Sequence, residues 1–269
     1  MRRCEWMLSL AAIALVLASP ARAQDEQAAE LAKKLSNPLA ALISVPMQFN
    51  QDQYGGTNDG AVVSRLNIQP VIPFSLNTDW NLISRTIIPL IDQRDFPAAA
   101  MNESGLGDIN ASLFFSPKSP TAGGWIWGVG PVFLLPTATQ DVLGAEKWGL
   151  GPTAVVLKQA GPWTVGLLAN HIWGVGGNDS RSNVSATFLQ PFLSYTTQTQ
   201  TTFSTNTEST YDWKNEQWQV PLNFAVAQLF KIGTQMFQVQ AGARYWADAP
   251  DNGPKGWGLR VQLTFLFPK

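Results

Sequence analysis

One histidine, one cysteine and, inside the expected strands, only a few of the 19 carboxylates limit the chemistry this chain can perform. A lipid-facing hydrolase of the His–Ser type carries its serine two residues from the histidine, because the base must reach the nucleophile by a hydrogen bond. Here His171 is followed by Ile172 and Trp173, and the serine is missing. Asp108, Glu208 and Asp212 lie scattered along the chain, with no pairing visible for acid–base work. Gly105-Leu106-Gly107-Asp108 is no phosphate loop, since no helical pattern follows it; a glycine at a strand start marks a bend. A lone Cys and a lone His build neither a zinc site nor a disulfide framework. No catalytic residue, metal or cofactor is expected.

The charges inside regular elements gain meaning from the elements that carry them. Ile43, Val45, Met47 and Phe49 alternate with polar residues and Pro46. The same two-residue period recurs from Leu66 to Phe74, from Phe237 to Tyr245 and from Leu259 to Phe267. Sustained alternation gives one apolar and one polar face per strand. Twelve strands are expected, near 43–50, 63–74, 80–91, 105–116, 125–136, 148–158, 163–175, 184–196, 201–213, 218–231, 237–246 and 257–267. Most are long enough for a tilted strand to cross a bilayer, which takes about 9–11 residues. Short turns near 75–79, 159–162, 197–200 and 232–236 face longer loops at 51–62, 92–104, 137–147, 176–183 and 247–256. That asymmetry is the habit of transmembrane barrels. The expected fold is all-β: a transmembrane antiparallel barrel of about twelve strands.

If the apolar face meets lipid, parity turns Arg65, Arg85, Arg244 and Arg260, with Asp108, Glu208 and Asp212, toward the lumen. Two readings of these seven residues stay open. They pair with one another and fill a narrow barrel, or they line a polar path that selects solutes by charge. Tryptophan fits a membrane as well. Trp80, Trp125, Trp127 and Trp163 lie at short-turn strand ends; Trp148, Trp173, Trp213, Trp218, Trp246 and Trp257 lie at long-loop ends. Two interfacial belts are expected. Trp163 and Trp173 share parity, and ten tilted residues span roughly 25 Å, the height of the apolar band. His171 shares that parity and is expected to face outward at the interface. Eight prolines inside the expected strands (Pro46, Pro70, Pro73, Pro89, Pro131, Pro152, Pro191 and Pro221) argue against unbroken ladders.

Composition agrees. Charged residues make up 14% of the chain, the net charge is −1, and 11 residues are Trp. The basic footprint of a nucleic-acid binder is absent. Arg2 and Arg3, the apolar run from Met7 to Ala18 and Ala21-Arg22-Ala23 read as a Sec signal peptide cut after Ala23. The expected organisation is a signal peptide over 1–23, a short periplasmic helical segment over 24–42 and an outer-membrane barrel over 43–269. Gly258, Val261, Leu263, Phe265 and Phe267 give the pattern of a terminal barrel strand read by the barrel-assembly machinery.

Gly105-Leu106-Gly107-Asp108, Gly124-Trp125-Ile126-Trp127-Gly128-Val129-Gly130-Pro131 and Leu135-Pro136-Thr137-Ala138-Thr139 resemble outer-membrane proteins grouped with the phenol meta-degradation pathway. Leu66-Asn67-Ile68-Gln69-Pro70-Val71-Ile72-Pro73 and Trp148-Gly149-Leu150-Gly151-Pro152 fit the same set. Members carry generic transporter names, and some bear a misleading "neuromedin U" label. The resemblance implies a Gram-negative outer-membrane barrel with a transport role and brings no binding residues. The implied partners are outer-membrane lipid, the assembly machinery and a small solute, hydrophobic or aromatic compounds among them. The alternative is a closed structural or adhesive barrel acting through its loops. For a hydrophobic solute, Gly and Pro kinks in 125–136 and 148–158 are the expected place for a lateral opening.

Overall fold

The two-residue period is realised as one continuous antiparallel ladder. The structure, a computed structural model, describes residues 22–55 and 60–267. The signal-peptide reading therefore falls almost wholly outside the described residues. A helix, α1 (Arg22–Leu35), precedes twelve strands. These are β1 (Ile43–Tyr54), β2 (Ala61–Ile68 and Val71–Ser75), β3 (Trp80–Arg94), β4 (Glu103–Leu106 and Ile109–Pro117), β5 (Trp125–Leu135) and β6 (Lys147–Ala160). There follow β7 (Trp163–Gly177), β8 (Ser185–Thr196), β9 (Thr201–Thr207 and Ser209–Asp212), β10 (Gln217–Ile232), β11 (Gln235–Asp248) and β12 (Pro254–Phe267). Each strand pairs with its neighbours in sequence, and β12 closes on β1 from Ile43↔Phe267 to Tyr54↔Pro254. The barrel has no free edge, so no row of backbone groups is left unpaired along a sheet margin.

The strand prolines lie at or beside interruptions of this ladder, except Pro73, which is paired with Ile83 in an unbroken run. Pro70 lies between the two halves of β2, and there the Gln69 amide donates to the Pro46 carbonyl. The Pro89 carbonyl accepts from Gly107, at the break in β4. Pro131 and Pro152 face each other across β5 and β6, and each is preceded by glycine. Each proline deprives a carbonyl on its other neighbour of an N–H: Leu113 on β4 and His171 on β7. Those carbonyls lean over Gly130 and Gly151, where any Cβ would overlap them. Pro191 and Pro221 flank the break in β9 at Glu208, and Pro221 adds a register shift between β10 and β11.

The N-terminal segment enters the barrel. Ala28, Leu31, Ala32 and Leu35 form the apolar stripe of α1, and they pack with Leu42, Met236, Leu229 and Leu266 at the short-turn end. Asn37-Pro38 ends the helix, and the Asn37 side chain accepts the Leu39 amide at 2.9 Å. Gln159 on β6 donates to the Lys33 carbonyl at 3.0 Å. On the exposed face of α1, the Lys34 ammonium holds the Glu30 carboxyl below its ordinary range. Leu39 then reaches into the lumen and packs with inward-facing Ile83, Phe114, Val155, Leu157 and Leu168. Its methyls sit over Gly128, where a Cβ would approach both to 3.1 Å.

Candidate functional site

The lumen has two unlike walls. On β1 the inward positions Gln48, Asn50 and Asp52 follow one another at the two-residue period, opposite Gln262 and Arg260 of β12. Arg260 is 2% exposed. Its Nε donates to Asn50 Oδ1 at 2.7 Å, and its two terminal nitrogens reach Glu208 Oε1 and Oε2 at 2.9 and 2.7 Å. This parallel fork is the strongest geometry available to an arginine–carboxylate pair. Glu208 is carried by β9, three strands away. Gly242, paired with Arg260, and Ala225, paired with Gly242, leave room for the contact between them.

Arg244 completes the cluster. It donates to Asp52 Oδ2 at 3.3 Å and to Glu208 Oε2 at 3.4 Å. Its guanidinium lies 4.5 Å from the Trp246 ring centre, and the Trp246 indole N–H donates to Asp52 Oδ1 at 2.9 Å. Gly258 makes room for the Asp52 carboxylate, which a Cβ at that position would overlap. Buried charges need such partners, since desolvation costs more than a loose pairing returns. The flanking rows are neutral: Asn223 donates to Asn206 at 2.8 Å, and Gln48 donates to Gln262 at 3.1 Å.

The other wall is apolar. Ile83, Phe114, Val155, Leu157 and Leu168 cluster around Leu39, with Ile126, Phe188 and Phe192 packed against them. Between the walls lies a cavity of about 550 Å³, floored by Lys34 to Leu42. Arg85, Gln69, Asn110, Arg260 and Glu208 line one side, and Leu168, Ile172, Phe188 and Phe192 line the other, with Asn170 and Gln190 set among them.

Of the seven expected lumen residues, the structure brings three together: Glu208, Arg244 and Arg260. Arg85 lines the cavity apart from them and donates to Gln69 Oε1 at 3.0 Å. Arg65 lies beside Tyr54, toward the long-loop end. Two aspartates depart from the expectation. Asp108 falls at the break in β4, where parity fails, and it accepts the Ala138 and Ala145 amides at 3.2 and 2.6 Å. It anchors the loop over 136–146, whose Leu143 is buried against Val63 and Ile91 across the long-loop mouth. Asp212 caps the β9–β10 turn by accepting the Lys214 and Asn215 amides at 2.8 and 3.3 Å. Asp52 and Asn50 were not among the expected residues. Asp52 falls within the loop expected at 51–62, but β1 runs on through it to Tyr54.

Nine of the ten tryptophans point outward at strand ends. Trp80 and Trp127 meet edge to face at 5.8 Å, and Tyr211 packs between Trp213 and Trp218. Trp246 is the correction. Sharing parity with Arg244, it turns into the lumen and bonds Asp52, so it belongs to no outer belt. His171 faces outward, and a hydroxyl does reach it, from the next strand. Thr187 lies directly opposite, with its Oγ1 2.7 Å from His171 Nδ1, and it also accepts the Trp213 indole N–H at 2.8 Å. No carboxylate orients the ring, and His171 Nε2 is buried without a partner. What the contact visibly does is tie β7, β8 and the β9–β10 turn together. Among the described residues, no three His, Cys, Asp or Glu side chains converge as metal ligands.

At the kinks expected for a lateral opening, β5 and β6 pair with each other without interruption from Trp125↔Lys158 to Leu134↔Gly149. Their outer ladders do break there, between Ser112↔Val132 and Phe115↔Val129 on β4 and between Leu150↔Trp173 and Thr153↔Asn170 on β7. The β4–β5 wall is interrupted again at the long-loop end. β5 ends at Leu135, and beyond Ile109 the neighbouring half of β4 is met only by loop residues. Thr137 and Thr139 hydroxyls accept the Ile109 and Leu106 amides there, at 3.0 and 3.1 Å.

The chain matches no protein-family model and no curated relative. Its fold does have solved counterparts. An outer-membrane channel of Pseudomonas putida F1 superposes with a TM-score of 0.64 at 15% identity, over 84% of this chain and 96% of that one. The porin NanC gives 0.52 at 11% identity, over 83% and 98%. The fold is that of outer-membrane β-barrels.

Proposed function

We propose that this chain is an outer-membrane channel for small solutes. The observation that carries the reading is the 550 Å³ lumen cavity set between a hydrogen-bonded arginine wall and an apolar wall. A barrel serving only as a structural shell has no need of a cavity with two chemistries. The apolar wall favours hydrophobic or aromatic solutes, in keeping with the resemblance to the phenol meta-degradation group. The segment 36–42 floors the cavity, so passage requires it to shift. Outward tryptophans at both strand ends support insertion in the outer membrane, after export by the signal peptide and assembly through β12. The interrupted wall between β4 and β5 supports lateral access for apolar solutes. The adhesive alternative finds less support, because the 136–146 loop folds inward rather than projecting.

The test is single-channel recording of the refolded full chain, with solute flux into proteoliposomes. Discrete conductance and uptake of small aromatic solutes are expected. A silent bilayer together with impermeable vesicles overturns the reading.

A further inference from the structure

The four lumen arginines are not equivalent. Arg244 and Arg260 are neutralised by Glu208 and Asp52, and Arg65 lies beside Tyr54. Arg85 stands apart: its one side-chain hydrogen bond among the described residues goes to the neutral Gln69 amide oxygen at 3.0 Å. The carboxylate on its side of the cavity, Glu208, already holds two other arginines. Arg85 pairs across the ladder with Val71 and Ser112, and neither brings charge. Glu208 reaches Arg85 only through space, its oxygens being bonded to Arg244 and Arg260, and a guanidinium on the cavity wall with no carboxylate bonded to it is incompletely compensated in the empty state. Its planar fork matches a carboxylate.

Across the same cavity stand Phe188, Phe192, Leu168 and Ile172. The volume falls within the roughly 300–1,000 Å³ typical of small-ligand sites. We propose that this cavity is a binding site for amphiphilic monocarboxylates, with the carboxylate on Arg85 and the apolar or aromatic body on the Phe188–Phe192 wall. One cation with no carboxylate bonded to it suits one negative charge, and the polar side chains set among the apolar ones opposite, Asn170 and Gln190, are neutral amides that bring no second cation. The inference deepens the channel reading and rests on it for its meaning, since it names the class of solute that the path would carry.

The test compares 4-phenylbutyrate with its neutral amide, 4-phenylbutyramide, by calorimetry on the full chain refolded in detergent. The acid is expected to bind roughly tenfold tighter than the amide, the scale of a hydrogen bond to a charged group. Arg85→Gln removes that preference by weakening the acid and sparing the amide, and Arg85→Lys keeps part of it. Heat-modifiable migration on gels reports that each variant is folded. Equal binding of acid and amide by the unmodified protein overturns the proposal without any variant. So does a preference that survives Arg85→Gln. Conductance without acid preference defeats this proposal alone; acid preference with a silent bilayer and impermeable vesicles defeats the channel reading alone.

Discussion

The arginine wall and the apolar wall of one lumen are held by opposite means. On β1, β9, β11 and β12, the charges of the cluster, Asp52, Glu208, Arg244 and Arg260, are fixed by one another, and the inward positions beside them are polar. On β3 to β8, near the short-turn end, apolar residues stand at inward as well as outward positions, among inward Ser116, Thr164 and Ser194. Ile126 beside Trp127 and Val155 beside Val156 show it in the sequence. An apolar inward face would be costly against water, and here it is covered from within by Leu39 and the segment that follows α1. The arginine cluster is satisfied by its own strands, whereas the apolar inward residues need a piece of chain from outside the barrel: Leu39 on one side and α1 over Leu229, Met236 and Leu266 at the short-turn ends of β10 to β12. Paired charges fix the first region, and apolar packing of an inserted segment fixes the second.

The comparison can be broken most severely at Glu208. Glu208→Gln leaves Arg244 and Arg260 without their shared carboxylate and should cost about 3–5 kcal/mol in denaturant unfolding. Replacing Arg260 and Glu208 together by Met should cost clearly less than the single change; an equal or larger loss would refute the buried-pair account. Leu39→Ala acts on the other wall. It should loosen the inserted segment by about 2–3 kcal/mol, seen as faster proteolysis within 24–42 and higher conductance, with the barrel still intact. If barrel unfolding changes as much as proteolysis does, the segment is part of the fold rather than removable.

Backbone changes should be smaller. Gly151→Ala presses a methyl onto the His171 carbonyl and should destabilise by about 1–3 kcal/mol, whereas Gly176→Ala, in open space, should be neutral. The smallest effect is expected at His171. His171→Ala breaks its contact with Thr187 and should cost about 1 kcal/mol or less, leaving conductance unchanged. A loss of some enzymatic hydrolysis of lipid esters in that variant would contradict the stitching role.

Much of this was legible in the residues. Period-two alternation gave the strands, and parity turned Arg85, Arg244 and Arg260 inward. Parity also held the correction for Trp246, two residues from an inward arginine, but its place at a strand end drew it into a belt. Asp108 and Asp212 were misread because parity does not survive a break or a turn, where backbone amides compete for a carboxylate. Thr187 was missed because His171 meets it across a ladder rather than along a strand.

The sequence by itself determined the strands, their faces and closure into a barrel, because these follow from local alternation and from the need to satisfy every backbone group in lipid. Only the tertiary structure decided which charges pair, where the prolines are harmless, and what fills the apolar half of the lumen. Those depend on register between strands distant in sequence. A one-residue shift would carry Asn50 away from Arg260 and reverse the face that each strand presents.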